Sequence, residues 1–247
     1  MADPLLAARG VTVRFGGLVA VDAVDLDVRE RELVGIIGPN GAGKTTFFHT
    51  LSGVLRPAAG RLAVRGHDLT GRAPNVFAAH GIARTFQTPR VFPDMTAEAN
   101  VRFGLQFAGR RRHHAHDAFD DARSILAFLG LADVAGAAAG QLTPARQRLL
   151  ELGMALGARP DVLLLDEVAA GLSERELETT VALIRRVRDE LGLAVVWIEH
   201  AVRALMGCVE RVVVLHQGRK LADGPSAQVA RDPAVLEAYL GAEGGQA

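Results

Sequence analysis

Apolar positions along the chain alternate between the two-residue period of strands and the longer period of helices. Leu5 to Val13 and Val19 to Val28 cluster β-branched and apolar residues on either side of Phe15-Gly16-Gly17, which predicts a pair of antiparallel strands. Leu33 to Ile37 is a short apolar run, and a helix is expected from Thr46 to Leu55, closed by Pro57 and Gly60. Gly60 to Leu69 reads as a strand with a turn or as a strand pair. From Asn100 to Leu131 the pattern is helical, with Phe119, Ile125, Leu126 and Leu129 on a common face. A second strong helix, Leu142 to Leu156, is broken by Pro160-Asp161 ahead of the apolar strand Val162 to Leu165. Glu174 to Leu191 is helical, and Ala194 to Ile198 and Val212 to Leu215 are strands. This recurrent order predicts an α/β fold, a largely parallel sheet covered by helices, with ligands beyond the carboxyl ends of the strands. The middle region reads as an inserted helical lobe and Gly241 to Ala247 as a loose tail.

Composition narrows the function classes. With 247 residues, 49% of them hydrophobic, the chain can bury a sizeable core. Its formal net charge is zero, which gives no support to a nucleic-acid partner. The one basic tract, Arg110-Arg111-Arg112-His113-His114, is followed by Asp117, Asp120 and Asp121 and reads as a solvated loop or helix end; His113, His114 and His116 lack a carboxylate or thiolate set at ligand spacing. Cys208 is the single cysteine, so no intrachain disulfide forms and a reducing, intracellular setting is expected. Neither a leader nor a membrane-spanning stretch is legible, so membrane association is expected to come through another protein.

The chemistry is concentrated after the strand at Leu33 to Ile37. Gly38-Pro39-Asn40-Gly41-Ala42-Gly43-Lys44-Thr45-Thr46 fits a phosphate-binding loop, whose backbone N–H groups wrap phosphates at a helix N-terminus. Lys44 is expected to reach the β and γ phosphates and Thr45 to bind Mg²⁺. Four apolar residues, Val162 to Leu165, lead to Asp166-Glu167, two adjacent carboxylates at a strand end. Asp166 is the candidate metal residue and Glu167 the candidate general base. Gln87 carries an amide able to touch both metal and water, and His200, after Trp197-Ile198-Glu199, can meet a γ-phosphate at a strand end.

These parts, in this order and spanning almost the whole chain, resemble the ATP-binding subunit of ABC transporters. Gly38 to Thr45 is similar to Walker A, Val162 to Asp166 with Glu167 to Walker B and the catalytic glutamate, Gln87 to the Q-loop glutamine and His200 to the switch histidine. Phe15 takes the position of the aromatic residue that stacks on adenine, and Gly171-Leu172-Ser173 resembles the D-loop, although the aspartate for which that loop is named is here Glu174 or absent. The resemblance implies a P-loop ABC ATPase fold in a single domain, residues 1–247. Residues 1–87 and 160–247 would form the nucleotide-binding core with its antiparallel β subdomain, and 88–159 an inserted helical subdomain. Arg84-Thr85-Phe86-Gln87, Ile198-Glu199-His200 and the ending Asp232 to Gly241 look like the branched-chain amino acid importer subclass. That implies ATP and Mg²⁺ as ligands, a second ATPase subunit, two membrane permease subunits, a periplasmic or extracellular solute-binding protein, and a place on the cytoplasmic face of the membrane. A lipid or lipopolysaccharide exporter ATPase is the alternative.

One motif departs most from the family. The signature loop corresponds to Leu142-Thr143-Pro144-Ala145-Arg146, in which Thr143 keeps a hydroxyl, Pro144 has no N–H, Ala145 replaces a glycine and Arg146 adds a charge. Arg146 can bind phosphate or pair with an acidic neighbour. Because the family sandwiches each ATP between one subunit's Walker A and the other's signature, the altered loop favours an asymmetric heterodimer over a homodimer. Val168 after the catalytic glutamate and Arg31 before Glu32 are smaller departures.

Overall fold

The computed structural model describes residues 3–107, 119–169, 171–199 and 205–243, and its strands sort into two sheets. The strands are β1 (Leu6–Phe15), β2 (Leu18–Val28), β3 (Leu33–Ile37), β4 (Ala59–Val64), β5 (His67–Asp68), β6 (Ile82–Arg84), β7 (Val162–Asp166), β8 (Ala194–Ile198), β9 (Arg211–His216) and β10 (Arg219–Pro225). An antiparallel sheet runs β2-β1-β4-β5, with Leu6 opposite Val28 and Phe15 opposite Leu18 in the first hairpin. The larger sheet runs β10-β9-β3-β8-β7-β6. Every pairing from β9 through β6 is parallel, and β10 adds an antiparallel edge.

Strands β3, β7 and β8 are buried along their whole length, which explains why they read as unbroken apolar runs. Side chains alternate between two cores. Leu33, Ile37, Leu163, Leu165, Val195 and Trp197 join the cluster under the helices, while Val34, Ile36, Leu164, Val196 and Ile198 face the cluster shared with the antiparallel sheet.

Among the described residues the α-helices are α1 (Lys44–Leu51), α2 (Pro74–Ala79), α3 (Ala97–Gln106), α4 (Ala122–Phe128), α5 (Pro144–Gly157), α6 (Glu174–Leu191), α7 (Ser226–Val229) and α8 (Pro233–Glu243). Three expectations need correction. The helix foreseen at Thr46–Leu55 begins at Lys44, because the phosphate loop hands its first turn directly to the helix, and it ends at Leu51 with Ser52 as its cap. The stretch from Asn100 to Leu131 is not one helical run: α3 ends at Gln106 and α4 opens at Ala122, where Asp121 and Ser124 form a reciprocal cap. The basic tract at 110–114, with His116 and Asp117, lies outside the described residues. Gly241, foreseen in a loose tail, belongs to α8; residues 244–247 are outside the described residues.

Helices α3 and α5 pack with almost no gap. A Cβ on Gly104 would come within 2.2 Å of the Met154 carbonyl oxygen, so only glycine permits this contact. Ile125, Leu126 and Leu129 are buried, as the common face predicts. Among the described residues no helix is long and apolar enough to cross a membrane.

Candidate nucleotide-binding site

At the carboxyl end of β3 the chain turns through Gly38, Gly41 and Gly43, all at positive φ, into α1. Gly43 is the N-cap at φ 93°, and a Cβ there would stand 2.4 Å from the Ala20 carbonyl oxygen. The loop is therefore pressed against β2, and the first-turn N–H groups of α1 face outward as an anion site. A cavity of about 390 Å³ opens there, lined by Leu18 to Ala20, Gly41 to Thr46, Gln217 and Gly218. Lys44 is buried, and its ammonium donates to the carbonyls of Gly38 at 2.7 Å and Pro39 at 3.0 Å. Burial lowers its pKa, with the Glu167 carboxylate acting in the opposite direction. A glycine cradle, a helix N-terminus and a buried lysine make a donor set suited to the polyphosphate of a nucleotide. Phe15 is half exposed at the tip of the hairpin, paired with Leu18, and stands outside the cavity lining.

Asp166 closes β7 and Glu167 follows it at φ 49°, a backbone conformation that costs a non-glycine residue roughly 1–3 kcal/mol and is held by surrounding bonds. Glu167 donates its N–H to the Ile198 carbonyl at 3.0 Å, and its carboxylate accepts from Gln87 Nε2 at 2.7 Å. The amide and carboxylate expected to work together are thus in contact, although 80 residues separate them. The Asp166 carboxylate accepts from Arg84 at 2.9 Å in a buried ion pair, and Arg84 also donates to Ser52 Oγ at 2.9 Å. Burial lowers the Arg84 pKa and the Asp166 charge offsets part of that. Thr85 Oγ1 accepts from the Asp166 N–H at 3.2 Å. Thr45, Gln87 and Asp166 supply the hydroxyl, amide and carboxylate oxygens that a hard divalent cation takes.

Comparison with known proteins decides the family. Residues 21–170 match the ABC transporter family model, and residues 219–245 match that of the branched-chain amino acid ATP-binding cassette transporter. The chain belongs to the ABC transporter family. It is similar to the high-affinity branched-chain amino acid transport ATP-binding protein BraF of Pseudomonas aeruginosa, 38% identical over 98% of this chain and 99% of that protein. LivG of Escherichia coli, of the same description, is 37% identical over the same shares. The crystal structure of the ADP conformation of MJ1267, an ATP-binding cassette of an ABC transporter, superposes with a TM-score of 0.85 at 28% identity, covering 97% of this chain and 100% of that one.

In this ABC cassette the altered signature segment lies apart from the phosphate loop. Thr143 is the N-cap of α5, its hydroxyl accepting from the Arg146 N–H at 3.4 Å, with Pro144 in the first helical turn where a missing N–H costs nothing. Arg146 pairs with Asp133 at 2.9 Å, the second of the two roles open to it. Thr143 and Arg146 line a groove of about 600 Å³ between α4, α5 and α6 that shares no residue with the Lys44 cavity. His200 lies outside the described residues.

Three residues at this site escape a sequence reading as chemistry. Arg84 reads only as part of a subclass motif, yet it holds Asp166. Glu199 is buried and accepts from the Ala169 N–H at 2.7 Å and Trp197 Nε1 at 3.1 Å, fixing the turn after Glu167. Glu151, inside α5, reads as an ordinary helix residue but accepts from the Phe86 and Arg90 N–H groups on either side of Gln87.

Proposed function

We propose that this chain is the ATP-hydrolysing subunit of an importer of branched-chain amino acids or a related small amide or amino acid, with Glu167 orienting the attacking water. The observation that carries the reading is the contact of Gln87 with Glu167 beside Asp166, in a cassette whose Lys44 is buried in an intact phosphate loop. The loop from Gly38 to Thr46 binds the phosphates through the backbone N–H groups of its residues other than Pro39, and the Lys44 ammonium moves from the loop carbonyls to the β and γ oxygens. Glu167 takes the proton of the water as its oxygen attacks the γ-phosphorus in line, the bond from that phosphorus to the β–γ bridging oxygen breaks with ADP as the leaving group, and His200 steadies the γ-phosphate. Thr45, Asp166 and Gln87 would hold Mg²⁺, which would neutralise charge on the phosphate oxygens. Phe15 stacks on the adenine from the hairpin tip.

Residues 88–159 act as the lobe that meets two permease subunits on the cytoplasmic side of the membrane, served by a solute-binding protein outside. The second cassette of the dimer supplies a signature loop to this chain's nucleotide, and the departures at Thr143 to Arg146 favour a non-identical partner. The test is Mg²⁺-dependent ATP turnover of the chain, alone over a range of concentrations and with its partner cassette, against Glu167→Gln. Turnover lost in the variant supports the reading; a wild-type chain inert in both settings overturns it.

A further inference from the structure

Glu151 is a carboxylate that the reaction above does not use, buried in α5 two turns beyond Thr143. Its two oxygens are divided between two backbone donors: one accepts from Phe86 N–H at 3.1 Å and the other from Arg90 N–H at 2.8 Å. Those residues bracket Gln87, whose amide rests on Glu167. The same loop is gripped from its side chains, because the Phe86 ring lies between the guanidinium groups of Arg84, 4.6 Å from the centroid, and Arg90, 4.2 Å. Arg84 in turn holds Asp166. Burial raises the Glu151 pKa, and the two N–H groups together with the charges of Arg90 and Arg84 act against that rise.

A two-oxygen acceptor of this length is the only side chain that satisfies both amides. Glutamine would turn an NH₂ toward one of them, and aspartate is one methylene too short to span the pair. The helix is a stiff connector: eight residues at about 1.5 Å each place Glu151 roughly 12 Å along α5 from Thr143. We propose that Glu151 is a positioning residue that fastens the Gln87 loop to the helix beginning at Thr143. Engagement of Thr143 and Arg146 by a second cassette's nucleotide is thereby felt at this chain's own Glu167. Only this last step rests on the ATPase reading; the fastening stands on the contacts themselves.

The experiment compares the full-length chain with its Glu151→Gln, Gln87→Ala and doubly substituted forms, with Glu151→Asp as a variant that keeps the charge. Amide hydrogen exchange without nucleotide is expected to speed up about tenfold at Phe86 and Arg90 in both Glu151 variants and to stay unchanged in α1. In the complex with the partner cassette, turnover falls between ~10- and ~100-fold while ATP affinity stays within about twofold. Added to Gln87→Ala, Glu151→Gln costs nothing further, since both act through one amide. Unchanged exchange at Phe86 and Arg90 overturns the fastening whatever the turnover. Faster exchange with losses that multiply in the double variant, or with affinity falling alongside turnover, overturns the coupling to Glu167. A wild-type complex without turnover defeats the ATPase reading and the coupling with it, and the exchange result still decides the fastening.

Discussion

At the scale of single residues, the site is a set of charges held ready by backbone. Lys44 is kept in the loop by two carbonyls, an arrangement that solvates the ammonium and that, in the proposed reaction, gives way to phosphate oxygens. Lys44→Ala is therefore expected to lower turnover by ~10²- to 10³-fold and to weaken ATP binding, read by phosphate release and nucleotide titration. Glu167→Gln acts differently. A glutamine still offers Gln87 an oxygen, so the geometry survives while the base is lost; turnover falls by about 10²-fold or more and an ATP-bound dimer accumulates, seen by size-exclusion chromatography with ATP. The phosphate loop was legible from sequence because its nine residues are consecutive. Arg84 and Glu151 were not, because their partners lie 82 and 61 to 65 residues away and no local pattern marks a salt bridge or a backbone contact at that distance.

At the scale of elements, the buried strands declared themselves and the polar edge did not. Strands β3, β7 and β8 are apolar on both faces, whereas β10 is largely exposed and earns its place through pairing with β9 and through charge. Arg211 on β9 grips Asp223 on β10 with two bonds of 2.7 and 2.9 Å, and its remaining nitrogen reaches Glu32 at 3.0 Å and the Asp27 carbonyl of β2 at 2.8 Å. This one guanidinium ties the edge strand to the parallel sheet and to the antiparallel one. Burial pushes the Asp223 carboxyl up, but bonds from Arg211 and Lys220 outweigh it and hold the pKa below its ordinary 3.8. A depressed carboxyl contributes stability above its unfolded pKa and loses it as pH falls through the folded value. Asp223→Asn is expected to cost about 1–3 kcal/mol at pH 7, and the gap between variant and wild type should narrow below pH 4 in urea titrations. A gap independent of pH would mean that packing, not the ion pair, holds β10.

At the scale of the whole molecule, one chain carries two half-sites that do not meet. The Lys44 cavity and the groove of Thr143 and Arg146 have no residue in common, and in the proposed dimer each is completed by a second cassette. The proposed asymmetry rests on the unequal quality of the halves. The half with Lys44, Asp166 and Glu167 keeps every group of the proposed reaction. The other offers a hydroxyl already accepting the Arg146 N–H and a guanidinium already paired with Asp133. That pair is exposed on both sides and worth roughly 0.2–1 kcal/mol, so a phosphate can take Arg146 from it cheaply, but Pro144 and Ala145 cannot restore the close N–H approach of a glycine pair. In the heteromeric complex, Glu167→Gln in this chain should lower phosphate release by ~10²-fold. The same substitution at the matching glutamate of a sister cassette, whose nucleotide faces Thr143 to Arg146, should lower it by no more than about threefold, since that site contributes little turnover to begin with. Equal losses from the two substitutions would show that the altered loop supports hydrolysis as well as the regular one, and the asymmetric arrangement would have to be given up.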